Sequence, residues 1–225
     1  QLKAIASALG SRYAETLTGF KWIANTAIDE LGKGVNFVVG YEEALGYSVG
    51  PVVRDKDGIG AALVVADMAA WCKARGLSLF GYLEEVQRAH GLFVAKQFNA
   101  TLPGASGAAA IKSVMEAFRA KPPTTIGTSR IVATNDYREQ SRVEGGAKSA
   151  LSLPKSNVIA YELEGGHRVT LRPSGTEPKI KFYFEWRETM AGGEAMSAAK
   201  TRANQKLDAM ESAFLVLATE RGLPR

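Results

Sequence analysis

The sequence predicts an α/β partial domain followed by a small α+β domain whose antiparallel sheet is covered by helices. Three observations carry that expectation. Runs with a period of two crowd the second half: residues 157–163, residues 167–171, and the stretch in which Ile180, Phe182, Phe184 and Trp186 share one face, as half-buried strands do. Helical patterns flank them, residues 108–120 with Ile111, Val114, Met115 and Phe118 on one side, and a long closing helix over 196–220. The first half alternates helical patterns with one short apolar run, residues 35–39, that opens at once into glycines and carboxylates. An open α/β sheet presents ligand groups in that way, at the carboxyl ends of its strands.

The chain opens at Gln1, with no methionine, already inside a helical pattern (Leu2, Ile5, Ala6, Leu9), which reads as a protein cut in the middle. Thr18-Gly19 marks a turn into a second amphipathic stretch that ends near Gly32. Asp57 is placed to cap a helix starting at Gly58. That helix is apolar almost all round (Ala61, Leu63, Val64, Val65, Met68), which predicts burial within a larger assembly of layers. Gly76 ends it, and a further helix through Leu83, Val86 and Ala89 stops at His90. Residues 93–106 shift to Gly, Pro, Asn and Thr and read as a domain junction, giving domains 1–92 and 93–225. Pro122-Pro123 ends the next helix, residues 131–133 are strand-like, and 136–154 read as a polar loop.

Composition narrows the function classes. The 225 residues suit one or two domains, and 46% hydrophobic with 23% charged residues is the balance of a soluble globular protein. No apolar run is long enough to span a membrane, and no basic-then-apolar leader is seen. A single cysteine, Cys72, excludes an internal disulfide and fits a reducing cytoplasm; its apolar helical setting reads as a buried structural thiol. The net charge of +5 is dispersed, without the clustered Lys/Arg and interleaved aromatics of a nucleic-acid interface. A modest positive balance also draws anions to a cleft. His90 and His167 are the only histidines, and no spacing resembles a zinc site. Gly58-Ile59-Gly60 imitates a dinucleotide fingerprint, but it follows a charged loop and lacks the third glycine.

The connection between the last two strands carries the strongest chemistry: Arg172-Pro173-Ser174-Gly175-Thr176-Glu177-Pro178-Lys179-Ile180-Lys181. Ser174 and Thr176 offer hydroxyls, and Gly175 permits the positive φ that lets successive backbone N–H groups converge. Arg172 and Lys179 flank the turn, and Arg can hold two phosphate oxygens at once. Taken alone, these residues suit either an anion cradle or an ordinary Gly-containing turn in a basic protein. Two further constellations stand upstream. Glu42 and Glu43 follow the first apolar run within Gly40-Tyr41-Glu42-Glu43-Ala44-Leu45-Gly46-Tyr47; adjacent residues point opposite ways in extended chain, so one of them faces any cleft. Arg54-Asp55-Lys56-Asp57-Gly58 comes within a dozen residues. A lysine there can neutralise phosphate charge, or act as acid or base if its pKa is lowered.

In order and spacing, these segments resemble the α-D-phosphohexomutases (phosphoglucomutase, phosphomannomutase and relatives), nearest the phosphoglucomutase/phosphopentomutase branch. The resemblance covers essentially the whole chain and matches the end of the family's third domain plus its fourth. It implies that Arg172, Ser174, Gly175, Thr176 and Lys179 form the phosphate-binding loop. It also places Thr18, in the Thr-Gly-aromatic-Lys segment, at the sugar-phosphate site; read alone, Thr18 is a helix cap or turn hydroxyl. The family's Gly-Glu-Glu-Ser-Phe-Gly loop puts its sugar-binding glutamate on Glu42 and its serine on Ala44, a departure that removes one hydroxyl contact and leaves strict glucose selectivity open. The family's Arg-Glu-Lys-Asp-Gly puts Arg54 and Lys56 at the substrate, with Lys56 the candidate general acid or base.

The family's phosphoserine loop (Ser-His-Asn-Pro type) and Mg²⁺ loop (Asp-x-Asp-x-Asp-Arg) are not in this sequence. The implied Mg²⁺ and hexose 1,6-bisphosphate activator therefore belong to a full-length enzyme, whose N-terminal domains become the expected partners beside a phosphorylated sugar. The expected activity is interconversion of hexose 1-phosphate and 6-phosphate, phosphoglucomutase preferred, with the chain alone inactive. Phosphomannomutase, phosphopentomutase and a non-catalytic sugar-phosphate-binding module are the alternatives.

Overall fold

The computed structural model describes residues 1–42, 45–175 and 177–224. The chain divides into two units, Gln1–His90 and Gly91–Arg225.

In the first unit, α1 (Leu2–Ala8) and α2 (Phe20–Leu31) precede a two-stranded antiparallel hairpin, β1 (Val39–Glu42) and β2 (Gly46–Val49), followed by α3 (Gly58–Ala74) and α4 (Leu79–His90). Asp57 caps α3 as its sequence position suggests: its Oδ1 accepts from Gly60 N at 2.8 Å. Ser78 Oγ does the same for Gly81 N at 3.0 Å at the start of α4. Two expectations need correction. The apolar run 35–38 is outside any strand, the strand being Val39–Glu42, and Val38 is 72% exposed. The apolar helix α3 is not enclosed: Ile59 is 88% and Leu63 71% exposed. Composition alone asks for burial on all sides, but within this unit α3 meets only β2 and α4 to any extent among the described residues, and of these residues only Ala6, Phe20 and Cys72 are buried hydrophobics.

The second unit is one antiparallel sheet with helices on a single face. Its strands are β3 (Leu92–Thr101), the two-residue β4 (Thr125–Ile126), β5 (Ser129–Asp136), β6 (Ser141–Glu144), β7 (Ala147–Ala150), β8 (Ile159–Leu163), β9 (His167–Pro173) and β10 (Lys179–Glu188); α5 (Gly104–Ala120) follows β3, and α6 (Met196–Glu220) closes the chain. The strand order is β3-β10-β9-β8-β5-β6-β7, with β4 added against β5. Alternation works as expected: Ile159, Tyr161, Leu163, Val169, Leu171, Ile180, Phe182 and Phe184 pack with Val114, Met115 and Phe118 of α5 and Phe214 of α6 in one core. Two segments read as irregular are strands. Residues 92–101 pair with all of β10, because a partner far along the chain satisfies a backbone whose composition suggests a junction. Residues 141–150 form a hairpin around Gly145-Gly146, both at positive φ (56° and 83°), the two-residue turn that matches strand twist.

His167 is buried on the core side of β9, its ring stacked 3.4 Å from Trp186. Its Nδ1 accepts from Arg187 N at 3.1 Å, which requires an imidazole unprotonated at that nitrogen. Burial lowers its pKa from the ordinary value, Lys206 and Arg187 add to that, and Glu188 opposes it. A histidine depressed in the folded state contributes stability that is complete above the unfolded pKa of about 6.5 and is lost as pH falls below it. The urea midpoint of this unit is therefore expected to drop between pH 7.5 and 5.5, and to drop less in His167→Gln.

Candidate functional site

The loop between β9 and β10 is built on two cross-strand pairs, Ile180 opposite Pro173 and Lys181 opposite Arg172. Ser174 N donates to Lys179 O at 2.7 Å, closing the neck. Inside, Glu177 N donates to Ser174 Oγ at 3.3 Å, and Lys179 Nζ lies 3.3 Å from Glu177 Oε2. Gly175 does not use the positive φ expected of it, and nothing stands within 4 Å of where a Cβ would be, so neither backbone conformation nor space demands glycine here. Thr176 lies outside the described residues.

Alternation along β9 and β10 turns Arg172, Lys179 and Lys181 to the sheet face away from the helices. Lys179 has Glu177, but neither Arg172 nor Lys181 has an ion pair among the described residues. Like charges directly opposite on a sheet repel, so this pair is set up to receive an anion. Lys181 is the residue that sequence reasoning passed over. The signal was present in the period of two, which puts Lys179 and Lys181 on one face, while the register that sets Lys181 against Arg172 was not legible.

Beside the loop is a shallow depression of about 450 Å³ lined by Gly104, Ala108, Ser174, Gly175, Glu177 and Pro178. The start of α5 forms its other wall, and that start has no side-chain cap; helix N-termini carry partial positive charge. Loop and helix are tied together, because Leu102 N donates to Pro178 O at 2.8 Å and Gly107 of α5 packs directly on the Leu102 carbonyl.

In the first unit the three upstream segments converge. Gly19, not Thr18, is at the N-cap of α2, with φ 125°, and Phe20 follows it into the unit's interior. Glu42 ends β1 with its Oε1 buried and without a hydrogen-bond partner among the described residues, a costly state in water-free surroundings. Leu45 holds a positive φ of 60°, a strained conformation for a side chain of that kind. Glu43 and Ala44, between them, lie outside the described residues. Asp57 N donates to Tyr47 O at 2.6 Å, fastening the Arg54–Gly58 segment to the hairpin. Lys56 N donates to Asp55 Oδ1 at 2.7 Å, with Lys56 Nζ 3.4 Å from the same oxygen; these contacts, the backbone one foremost, hold the Asp55 carboxyl below the usual carboxylate range. Arg54 is exposed and has no ion pair among the described residues; the partner beside Lys56 is the Asp55 carboxylate.

No three of the His, Cys, Asp and Glu side chains gather as metal ligands among the described residues. Asp55 is engaged by Lys56 and Asp57 by the first turn of α3, so these two carboxylates do not fit a Mg²⁺ site. No helix of the described residues is long and apolar enough to cross a membrane.

Residues 1–89 match the family description "Phosphoglucomutase/phosphomannomutase, alpha/beta/alpha domain III", and residues 109–198 match "Phosphoglucomutase/phosphomannomutase, C-terminal domain". The chain is 38% identical over 183 residues to a phosphoglucomutase of Staphylococcus epidermidis, covering 80% of this chain and 33% of that protein. It is 37% identical over 187 residues to a probable phosphomannomutase of Haemophilus influenzae (83% and 34%), and 33% identical over 189 residues to a probable phosphoribomutase of Schizosaccharomyces pombe (81% and 32%). It thus spans about a third of the length of the curated relatives it matches. Among solved structures, the open form of parafusin from Paramecium shares the fold, with a TM-score of 0.56, 18% identity, and coverage of 93% of this chain and 35% of that one.

Proposed function

The chain belongs to the phosphoglucomutase/phosphomannomutase family, and from that premise we propose that it is the sugar-phosphate-holding part of a mutase interconverting hexose 1-phosphate and hexose 6-phosphate through a bisphosphate intermediate. Glucose is the preferred sugar. The observation that carries this reading is the Arg172–Lys181 pair, two cations side by side next to the Ser174-Gly175 turn, with no ion pair among the described residues. In this reading Arg172 and Lys181, with Ser174, Gly175, Thr176 and Lys179, hold the phosphate that does not react. Glu42 accepts hydrogen bonds from two neighbouring sugar hydroxyls, Thr18 contacts the sugar phosphate, and Lys56, flanked by Arg54, meets the phosphoryl group being transferred. Binding energy taken from the distal phosphate orients the reacting hydroxyl. The Mg²⁺ that neutralises charge in such transfers and the phosphoserine belong to other segments of the enzyme, and the bisphosphate activator is their substrate; no residue of this chain is assigned to the metal.

Phosphomannomutase and phosphopentomutase activities are the alternatives within the family. Ala44 in place of the family's serine supports a looser choice of sugar, and so does the spread of names among the relatives. By itself the chain acts as a sugar-phosphate-binding module, without turnover. Calorimetry with glucose 1-phosphate tests this. Charge-assisted hydrogen bonds are worth roughly 1.5–3 kcal/mol each, so Arg172→Ala is expected to weaken binding by at least about tenfold. An Arg172→Ala chain that binds as tightly as the parent sinks the assignment.

A further inference from the structure

Phe20 is one of only three buried hydrophobics among the described residues of the first unit, 5% exposed, although it stands at the first position of a helix whose other face meets solvent. What lies on its ring explains this. Lys56 Nζ sits 4.7 Å from the ring centroid. On the same ring packs Gly46, paired with Glu42 at the turn end of the hairpin: a Cβ on Gly46 would stand 2.5 Å from Phe20 Cε2, 3.0 Å from its Cζ and 3.2 Å from Lys56 Cγ. One aromatic side chain thus supports both the Glu42–Gly46 hairpin and the Lys56 stem, and it follows directly on Thr18-Gly19. Three segments of the proposed sugar site, dispersed in sequence, share a single platform.

We infer that Phe20 is the positioning residue for Lys56: its ring face holds the ammonium beside the hairpin, so that lysine and glutamate address one ligand. The inference deepens the reading given above and rests on it for the ligand. The chemistry suits the task. A long lysine stem loses rotamer freedom when fixed, and the Asp55 contact at 3.4 Å is exposed and weak. The quadrupole of an aromatic face attracts the ammonium without consuming its three N–H donors, which stay available to phosphoryl oxygens. Gly46 keeps the ring accessible; any side chain there would occupy the space the lysine stem crosses.

The test replaces Phe20 by tri- and tetrafluorophenylalanine, which keep the shape and drain the ring's negative face. Two readouts are taken, the Lys56 ε-methylene NMR shifts and the affinity for glucose 1-phosphate. Upfield-shifted ε protons in the parent, moving toward random-coil values with each added fluorine, are expected, with binding about two- to fivefold weaker at full effect, the range of an exposed cation–π contact. Phe20→Tyr keeps both readouts near the parent. In a Lys56→Met background the fluorine series is expected to leave binding flat, which a merely structural role for the ring would not produce. Lys56 shifts that ignore fluorination, or a series that weakens binding equally with and without Lys56, overturn the inference. If instead the shifts respond but Lys56→Met binds glucose 1-phosphate like the parent, Phe20 still positions the lysine, and it is the assignment of Lys56 to the ligand that falls.

Discussion

Phe214→Ala is expected to destabilise the second unit by roughly 3–5 kcal/mol, the cost of emptying a buried aromatic site. Phe214 is fully buried in α6 and meets three rings: Phe118 of α5 at 5.2 Å between centroids, Phe182 at 5.3 Å and Phe184 at 5.7 Å. It is where both helices and β10 touch. Phe118 is in turn covered by the Arg221 guanidinium, 4.7 Å from its centroid, so the cavity left by the alanine cannot collapse without drawing in a charged group. Urea unfolding followed through Trp186, which stands in this unit, measures the loss. A midpoint within a few tenths molar of the parent would show that the ring cluster is not where the unit's stability resides.

Gly107→Ala is the second large effect, and its consequence reaches the loop between β9 and β10. The added methyl would lie 1.8 Å from the Leu102 carbonyl oxygen and 2.4 Å from its carbon. Both are backbone atoms, so the strain cannot be relieved by a rotamer change, and overpacking of this kind costs about 1–3 kcal/mol. The gain in helix propensity, up to about 1 kcal/mol, is too small to offset it. The helix start has to lift away from Leu102, and Leu102 N is the donor that fixes Pro178 O. Glucose 1-phosphate affinity is therefore expected to fall along with stability. Gly104→Ala, three residues earlier at an exposed position and with nothing within 4 Å of its Cβ position, has a positive φ of 79°, and should cost stability through the backbone alone while leaving Leu102 and Pro178 joined. Equal losses of binding in both variants would break the link between Gly107 and the loop.

Much of the second unit was legible because its signals are local. The alternation through Ile180, Phe182 and Phe184, the apolar stripe of α5 and the length of α6 each declare a face before any partner is known. The segment 92–101 was not, since Lys96, Gln97 and Asn99 look like loop residues until β10 supplies the hydrogen bonds that make them a strand. Gly145-Gly146 was a readable hairpin turn, hidden by the polarity of strands whose side chains stay in water. In the first unit composition misled: α3 asks for an apolar surround that the described residues of the unit do not provide. For the site, residue types pointed to Arg172 and Lys56. The register that brings in Lys181 and the packing that brings in Phe20 are tertiary facts, with no counterpart in spacing along the chain.

The pairing of β3 with β10 sets the order in which this protein comes together. It joins Leu92 to Glu188 and Thr101 to Lys179, so residues 102–178, more than half of the second unit, must be synthesised between one strand and the strand it pairs with among the described residues. Contacts of such span are slow to form, because the chain entropy of closing so long a loop is lost before the ladder repays it. On a ribosome β3 emerges early and waits with both edges bare. The Leu102–Pro178 hydrogen bond, which lies at the end of that ladder, is accordingly a late event, formed after the local β9–β10 hairpin that carries Arg172 and Lys181.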